Sequence, residues 1–170
     1  MEIPEALEQV LDAYKKYYTI NRETPASPFL AEAEFRLHDE QYFLIRSARI
    51  SEVDSRELVF FSGVEKLDAQ SYEQLEQAAW EEGLSRVRLS EYHRNTDVSL
   101  CILAGSVDPE AARRIRKARR YKSYRFGLGG FSQYRTVAYD LSSGTAVRSR
   151  LGEEMEKVVC NRLSNVMRRR

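Results

Sequence analysis

Ile3, Leu7, Val10, Leu11, Tyr14 and Tyr18 recur at helical spacing at the start of the chain, which predicts an amphipathic helix. Pro25 and Pro28, in the turn-rich RETPASP, forbid its continuation, so it should end near Tyr18 to Asn21. The period then changes. In AEAEFRL, Ala31, Ala33, Phe35 and Leu37 fall on one side and Glu32, Glu34 and Arg36 on the other. That alternation predicts a half-buried antiparallel strand. HDEQ predicts a turn. QYFLIRSARI, residues 41–50, predicts a second strand covered on both faces at YFLI, and ELVFFSGV a third after the turn EVDSRE. Together these strands predict a β-meander.

Helical spacing returns from about Asp68 to Glu82, with Asp68 or Ser71 as the start signal and Gly83 as the stop. Leu75, Ala78, Ala79 and Trp80 would form its inner face. VRL, at 87–89, suggests a short strand, and DVSLCILAG a buried one. The next helix, Pro109 to Arg120, has Asp108 at the N-cap position, Pro109 at the first helical position and Glu110 near the positive end of the dipole. YKSYRF and SQYRTVAYDL predict two strands joined by the glycine-rich tip GLGG. After the turn DLSSG, a last helix from about Ser149 to Met167 would bury Leu151, Met155, Val158, Val159 and Leu163. Its terminal Arg168, Arg169 and Arg170 suit a helix C-terminus. The fold class is α+β, a single domain over 1–170. A mixed or mainly antiparallel sheet carries packed helices in the order αβββα(β)βαββα.

A length of 170 residues with 42% apolar content suits one domain with a genuine core. The cysteines, Cys101 in an apolar run and Cys160 in a helix, suggest a reducing compartment. The N-terminus is acidic where a signal peptide would be basic, and no apolar run reaches the length of a membrane span. These features lead us to expect a cytoplasmic protein with no membrane partner.

The net charge of +1 conceals an asymmetry. Of the 27 Lys and Arg, 16 lie from residue 111 onward, with only 4 of the 26 Asp and Glu. Eight of the thirteen residues in RRIRKARRYKSYR, Arg113 to Arg125, are basic. On the predicted helix, Ala111, Ala112, Ile115 and Ala118 make a thin apolar stripe. Arg113, Arg114, Arg116, Lys117 and Arg120 cover the rest, and Lys122 and Arg125 continue onto the strand. Tyr121, Tyr124 and Phe131 lie beside them. Cations neutralise phosphates and flat rings stack on unpaired bases, so this set is the candidate polyanion-binding or nucleic-acid-binding surface. The plainer alternative is a solvated face paired with carboxylates of the acidic part of the chain.

Other chemistries leave weaker traces. Gly127, Gly129 and Phe131 suggest a kinase-type phosphate loop, but Ser132 replaces the third glycine and VAYD places Asp140 where a lysine belongs. A permissive hairpin turn explains the glycines better. No Walker A motif and no G-x-S-x-G elbow is present. His38, Asp39 and Glu40, and Glu91, His93 and Asp97, offer metal-ligand atoms without a diagnostic spacing. Glu32, Glu34 and Arg36 share a strand face, but the lysine of a nuclease-like site is missing. Cys101, among apolar neighbours, should be an inert thiol. No catalytic, cofactor or metal residues are assigned. Tyr14, Tyr17 and Tyr18 exceed one buried stripe and suggest an interface.

Two blocks, YFLIRSARISEVDSRELVFF and RRYKSYRFGLGGFSQYRTVAYDLSSG, resemble segments of an uncharacterised bacterial domain family of unknown function. The resemblance runs from about Ala31 to the last helix. It implies a bacterial cytosolic single-domain protein and carries over no catalytic residues. Three functional readings follow. The first is a non-enzymatic interaction module, self-associating or docking a protein partner through charged and aromatic surfaces. The second is a nucleic-acid-binding or polyanion-binding module on 113–125. The third is an enzyme acting on a phosphorylated or acidic substrate with the same arginines as anion clamps.

Overall fold

The two apolar runs LVFF and SLCILA lie in neighbouring parallel strands covered on both faces, which is why successive residues are apolar in each. The structure, a computed structural model, describes residues 1–36, 54–89 and 93–168. In chain order the elements are α1 (Ile3–Tyr14), β1 (Thr19–Asn21), β2 (Ala31–Arg36), β3 (Asp54–Leu67), α2 (Ala69–Ser85), β4 (His93–Val107), α3 (Pro109–Lys117), β5 (Tyr121–Ser123), β6 (Phe131–Asp140), β7 (Thr145–Arg148) and α4 (Glu153–Arg168).

The described strands form one seven-stranded mixed sheet in the order β1-β2-β3-β4-β6-β5, with β7 also on β6. β3, β4 and β6 run parallel, and every other pairing is antiparallel. The parallel strands are linked by α2 and α3, whose buried side chains pack on one face of the sheet. Tyr72, Leu75, Ala79, Trp80, Ala111 and Ile115 meet Leu58, Phe60, Leu100, Ile102 and Ala138 there. On the other face, Leu7, Val10, Leu11 and Tyr14 of α1 and Met155, Val159 and Leu163 of α4 meet Val59, Phe61, Cys101, Leu103, Val137 and Tyr139. Through the middle of β3, β4 and β6, even-numbered residues thus serve one core and odd-numbered ones the other, as the pleat requires, while Leu67 at the end of β3 and Val147 of β7 depart from that parity. The fold is α+β, an open mixed sheet with helices on both faces.

β5 and β7 lie end to end along the same side of β6. Tyr121–Ser123 pairs with Phe131–Gln133, and Thr145–Arg148 with Val137–Asp140. Between them the Tyr134 N–H donates to the Arg120 carbonyl at 3.0 Å. The Thr136 N–H donates to the Ser149 hydroxyl at 3.0 Å. The outer edge of β6 is therefore bonded along its length.

Several expectations are corrected. β2 and β3 are direct neighbours, which leaves no place between them for the middle strand of a meander. The proposed strand 41–50 itself lies outside the described residues. VRL, 87–89, is not a strand. Gly83 does not stop α2, which continues to Ser85. A Cβ there would stand 2.4 Å from a Val98 methyl, so glycine serves close helix–sheet approach instead. Leu151 and Val158 are exposed, because the buried stripe of α4 is Met155, Val159 and Leu163. The strand predicted over YKSYRF ends at Ser123. β1 and β7 are short strands with no distinctive pattern of their own.

Candidate functional site: a basic helix and its hairpin tip

α3 is held by little apolar surface. Ala111 and Ile115 are buried, and Ala112 and Ala118 pack partly against the same core. Pro109 sits at the helix start and Asp108 at the N-cap position, where its side chain makes no capping bond and pairs instead with Lys66 at 3.5 Å. With so narrow an inner stripe, the remaining side chains of α3 project outward.

The helix ends at Lys117 rather than at Arg120, and the cations of α3 and of the segment that follows it divide into two sets. Arg113 donates to Glu110 at 2.8 Å, which holds the Glu110 carboxyl below its ordinary range. Arg114 pairs with Glu73 of α2 and lies 3.5 Å from Glu110. Arg120 donates to Glu76 at 3.2 Å and to the Gln77 side-chain oxygen, Oε1, at 2.9 Å. Apart from Gln77, these residues line a shallow groove between α2 and α3, which Lys117 and Arg119 also border. Arg116, Lys117, Arg119, Lys122 and Arg125 are exposed and make no ion pair among the described residues. The acidic and basic parts of the chain do interleave, since Arg135 and Arg162 also reach back, to Asp97 and Asp12. That interleaving stops short of the second set.

The aromatic residues divide as well. The Tyr121 and Phe131 rings stack with centroids 5.6 Å apart and planes at 22°, and Tyr121 is 62% exposed. Tyr124 is half-buried, with its hydroxyl 2.9 Å from that of Ser132. The Lys122 ammonium lies 5.5 Å from the Tyr124 ring centroid. All three residues of β5 are exposed.

Beyond β5 the chain turns sharply. Arg125 and Phe126 both have positive φ, 49° and 55°, a conformation that a bulky side chain rarely adopts. Backbone bonds fix the turn. The Gly127 and Gly129 N–H groups both donate to the Tyr124 carbonyl, at 2.9 and 3.0 Å, and Leu128 donates to Arg125 at 3.0 Å. Those amides are spent within the loop, unlike those of a phosphate-binding loop. Phe126 and Leu128 project fully into solvent, at 106% and 90% exposure.

Arg119, Phe126 and Leu128 were missed as site residues. Alternation through YKSYRF would have put Phe126 in line with Lys122 and Tyr124. The paired positive-φ residues break that line and turn Phe126 outward.

A second cluster lies on the opposite face of the sheet, toward the starts of the parallel strands. Arg135 donates to Asp97 at 2.5 Å and lies 3.5 Å from Glu57. Glu57 also accepts from Tyr18 at 2.5 Å and from Ser99 at 2.9 Å. Burial, and then the Glu57 carboxylate, push the Tyr18 phenol well up, so it stays protonated as a donor. Burial pushes the Asp97 carboxyl up against the pull of Arg135. Asp97 Oδ1 and Arg135 Nε are buried and make no hydrogen bond among the described residues. The available sequence signal was a charged residue at an inward position of the series Arg135, Val137, Tyr139.

The other candidates fall elsewhere. His38, Asp39, Glu40 and Glu91 lie outside the described residues. Glu32 and Glu34 are held by Arg86 and Arg56. Burial pushes the Cys101 thiol up to about 12, which suits an inert core residue. Among the described residues no group of three or more His, Cys, Asp and Glu is placed to hold a metal ion, and no helix is long and apolar enough to cross a membrane.

No curated protein and no solved structure matches the chain. The model of one family, described as a domain of unknown function (DUF8052), matches residues 2–161. The match takes in nearly the whole chain, including both clusters, and the chain therefore belongs to the DUF8052 family.

Proposed function

We propose that this chain is a single-domain, cytoplasmic, non-enzymatic interaction module that binds nucleic acid through α3, β5 and the hairpin tip. The observation that carries the reading is the division of the basic run. Arg113, Arg114 and Arg120 already have carboxylate partners within the chain. Arg116, Lys117, Arg119, Lys122 and Arg125 make no ion pair among the described residues, and Tyr121, next to Lys122 in β5, stacks on Phe131 on the sheet face opposite α3. Only a cation without a protein partner is fully available to displace counterions from a phosphate backbone. Five such contacts on a single strand would give log K against log salt a slope of about −3.5.

The test is a fluorescence-anisotropy titration of the whole chain with single-stranded and duplex oligonucleotides at low and near-physiological salt. Saturable binding with a slope near that value supports the reading. No binding at low salt, where electrostatic attraction is strongest, overturns it. Salt-sensitive self-association in that case would assign the free cations to a contact between subunits.

A further inference from the structure

We propose that the hairpin tip makes this surface selective for single-stranded nucleic acid, with Phe126 and Leu128 contacting unpaired bases. The inference rests on the nucleic-acid reading above and narrows its ligand. An exposed phenylalanine and leucine gain nothing from a phosphate backbone. They gain from a flat apolar face, and a duplex keeps its base faces stacked inside. The tip is also preorganised. Arg125 and Phe126 are held at positive φ by a turn in which the Tyr124 carbonyl accepts two N–H groups. Non-glycine residues in this region persist where the surroundings fix them, and such positions concentrate at binding sites. A backbone already fixed in its presenting conformation loses little freedom on binding.

Two further observations point to a strand of nucleic acid rather than to an anionic membrane. The free cations follow one another along the chain from Arg116 on α3 through Lys122 on β5 to Arg125 at the tip, so they extend over two elements besides the tip itself. The second ring surface, Tyr121 stacked on Phe131, lies back from the tip on the face of the sheet opposite α3, with Tyr121 open to solvent. A bilayer would engage the tip alone, whereas a flexible polymer that rounds this sheet edge can contact the tip, the cations on one face and the ring pair on the other.

The experiment compares the full chain with the double variant Phe126→Asn, Leu128→Ser, since asparagine tolerates positive φ. Thermal unfolding should be unchanged because both side chains are solvent-exposed. Three probes are titrated: fluorescein-labelled oligothymidylate, a duplex of equal length, and phosphatidylserine vesicles. The expected result is about a ten-fold or greater loss on oligothymidylate with duplex binding unaltered. Equal affinity of wild type and variant for oligothymidylate overturns the role of the tip while leaving the nucleic-acid reading intact. Failure of the wild type to bind either oligonucleotide overturns both. Binding to vesicles alone, lost in the variant, overturns the proposal in favour of a membrane-surface role.

Discussion

Arg86 grips Glu32 with two hydrogen bonds, Nη1 to Oε2 and Nη2 to Oε1, each 2.8 Å long. Glu32 is also the acceptor for the Ala26 N–H at 2.7 Å. The carboxylate is nearly buried on β2, and Arg86 follows the last turn of α2. The fork thus ties the outer, antiparallel part of the sheet to the helix that leads into β4. Arg86→Ala leaves a buried carboxylate without its cation and should destabilise the chain by about 3 kcal/mol. Urea unfolding at pH 7 measures this, and an effect under 1 kcal/mol would show the pair to be incidental.

The same pair sets a pH dependence. Burial alone would raise the Glu32 carboxyl, but the Arg86 fork and the Ala26 N–H outweigh it and hold it below its ordinary value of 4.5. The folded state therefore binds this proton less readily than the unfolded state. The stabilisation is fully present above 4.5 and is lost as pH falls through the lower folded value. Glu32→Gln should flatten the acid limb of a stability–pH curve. A variant curve parallel to wild type would reassign that limb to other carboxylates.

Arg135 and Asp97 are expected to behave unequally. Arg135→Met leaves the poorly solvated Glu57 and Asp97 carboxyls without their cation, and should cost about 3 kcal/mol or more near neutral pH. Asp97→Asn leaves Arg135 its second carboxylate, Glu57, and removes a charge that burial already disfavours. Its cost should be about 1 kcal/mol or less. Denaturant midpoints of the two variants at pH 7 give the comparison, and a reversed order would contradict the cluster as described.

Gly83→Ala offers a test of helix–sheet packing. Helix propensity alone favours alanine by about 1 kcal/mol. The added methyl would meet Val98 at 2.4 Å, in the core, so a net loss of about 1–3 kcal/mol is expected. Val98→Ala should cost less in the Gly83→Ala background than in wild type, and a double-mutant cycle reads that coupling.

The two sets of cations predict different binding phenotypes. Arg116→Ala, Lys117→Ala and Arg119→Ala together should lower oligonucleotide affinity and flatten the salt slope by about 0.7 per residue on single strands. Arg113→Ala with Arg114→Ala should change binding little, because both side chains are already bonded to carboxylates. Equal effects of the two sets would mean that the intramolecular ion pairs open on binding.

Much of the architecture was legible in the sequence because it depends on local periodicity. The stripe of α1 up to Tyr14, Met155, Val159 and Leu163 of α4, Asp68 as one of two start signals for α2, and the Pro109 start of α3 all follow from spacing and capping chemistry. What was not legible depends on neighbours distant in the chain. Gly83 looked like a stop because nothing near it in sequence reveals Val98 across the interface. β7 is four residues long and is defined by its partner β6. The division of the basic run was hidden for the same reason, since Glu73 and Glu76 approach Arg114 and Arg120 only once α2 and α3 lie side by side. Phe126 escaped notice because its exposure arises from two successive residues at positive φ, which no alternation pattern encodes.

The end-to-end placement of β5 and β7 also limits how a partner can attach. Many recognition modules lend the free edge of a sheet to an incoming peptide, and an exposed edge is equally a template for fibrillar growth. Here one margin offers two fragments of three and four residues, and the other is the three-residue β1. Among the described residues neither presents a long straight row of unpaired backbone groups. These margins favour a ligand read by projecting side chains over one read by main-chain pairing, and their shortness works against strand-by-strand accretion there.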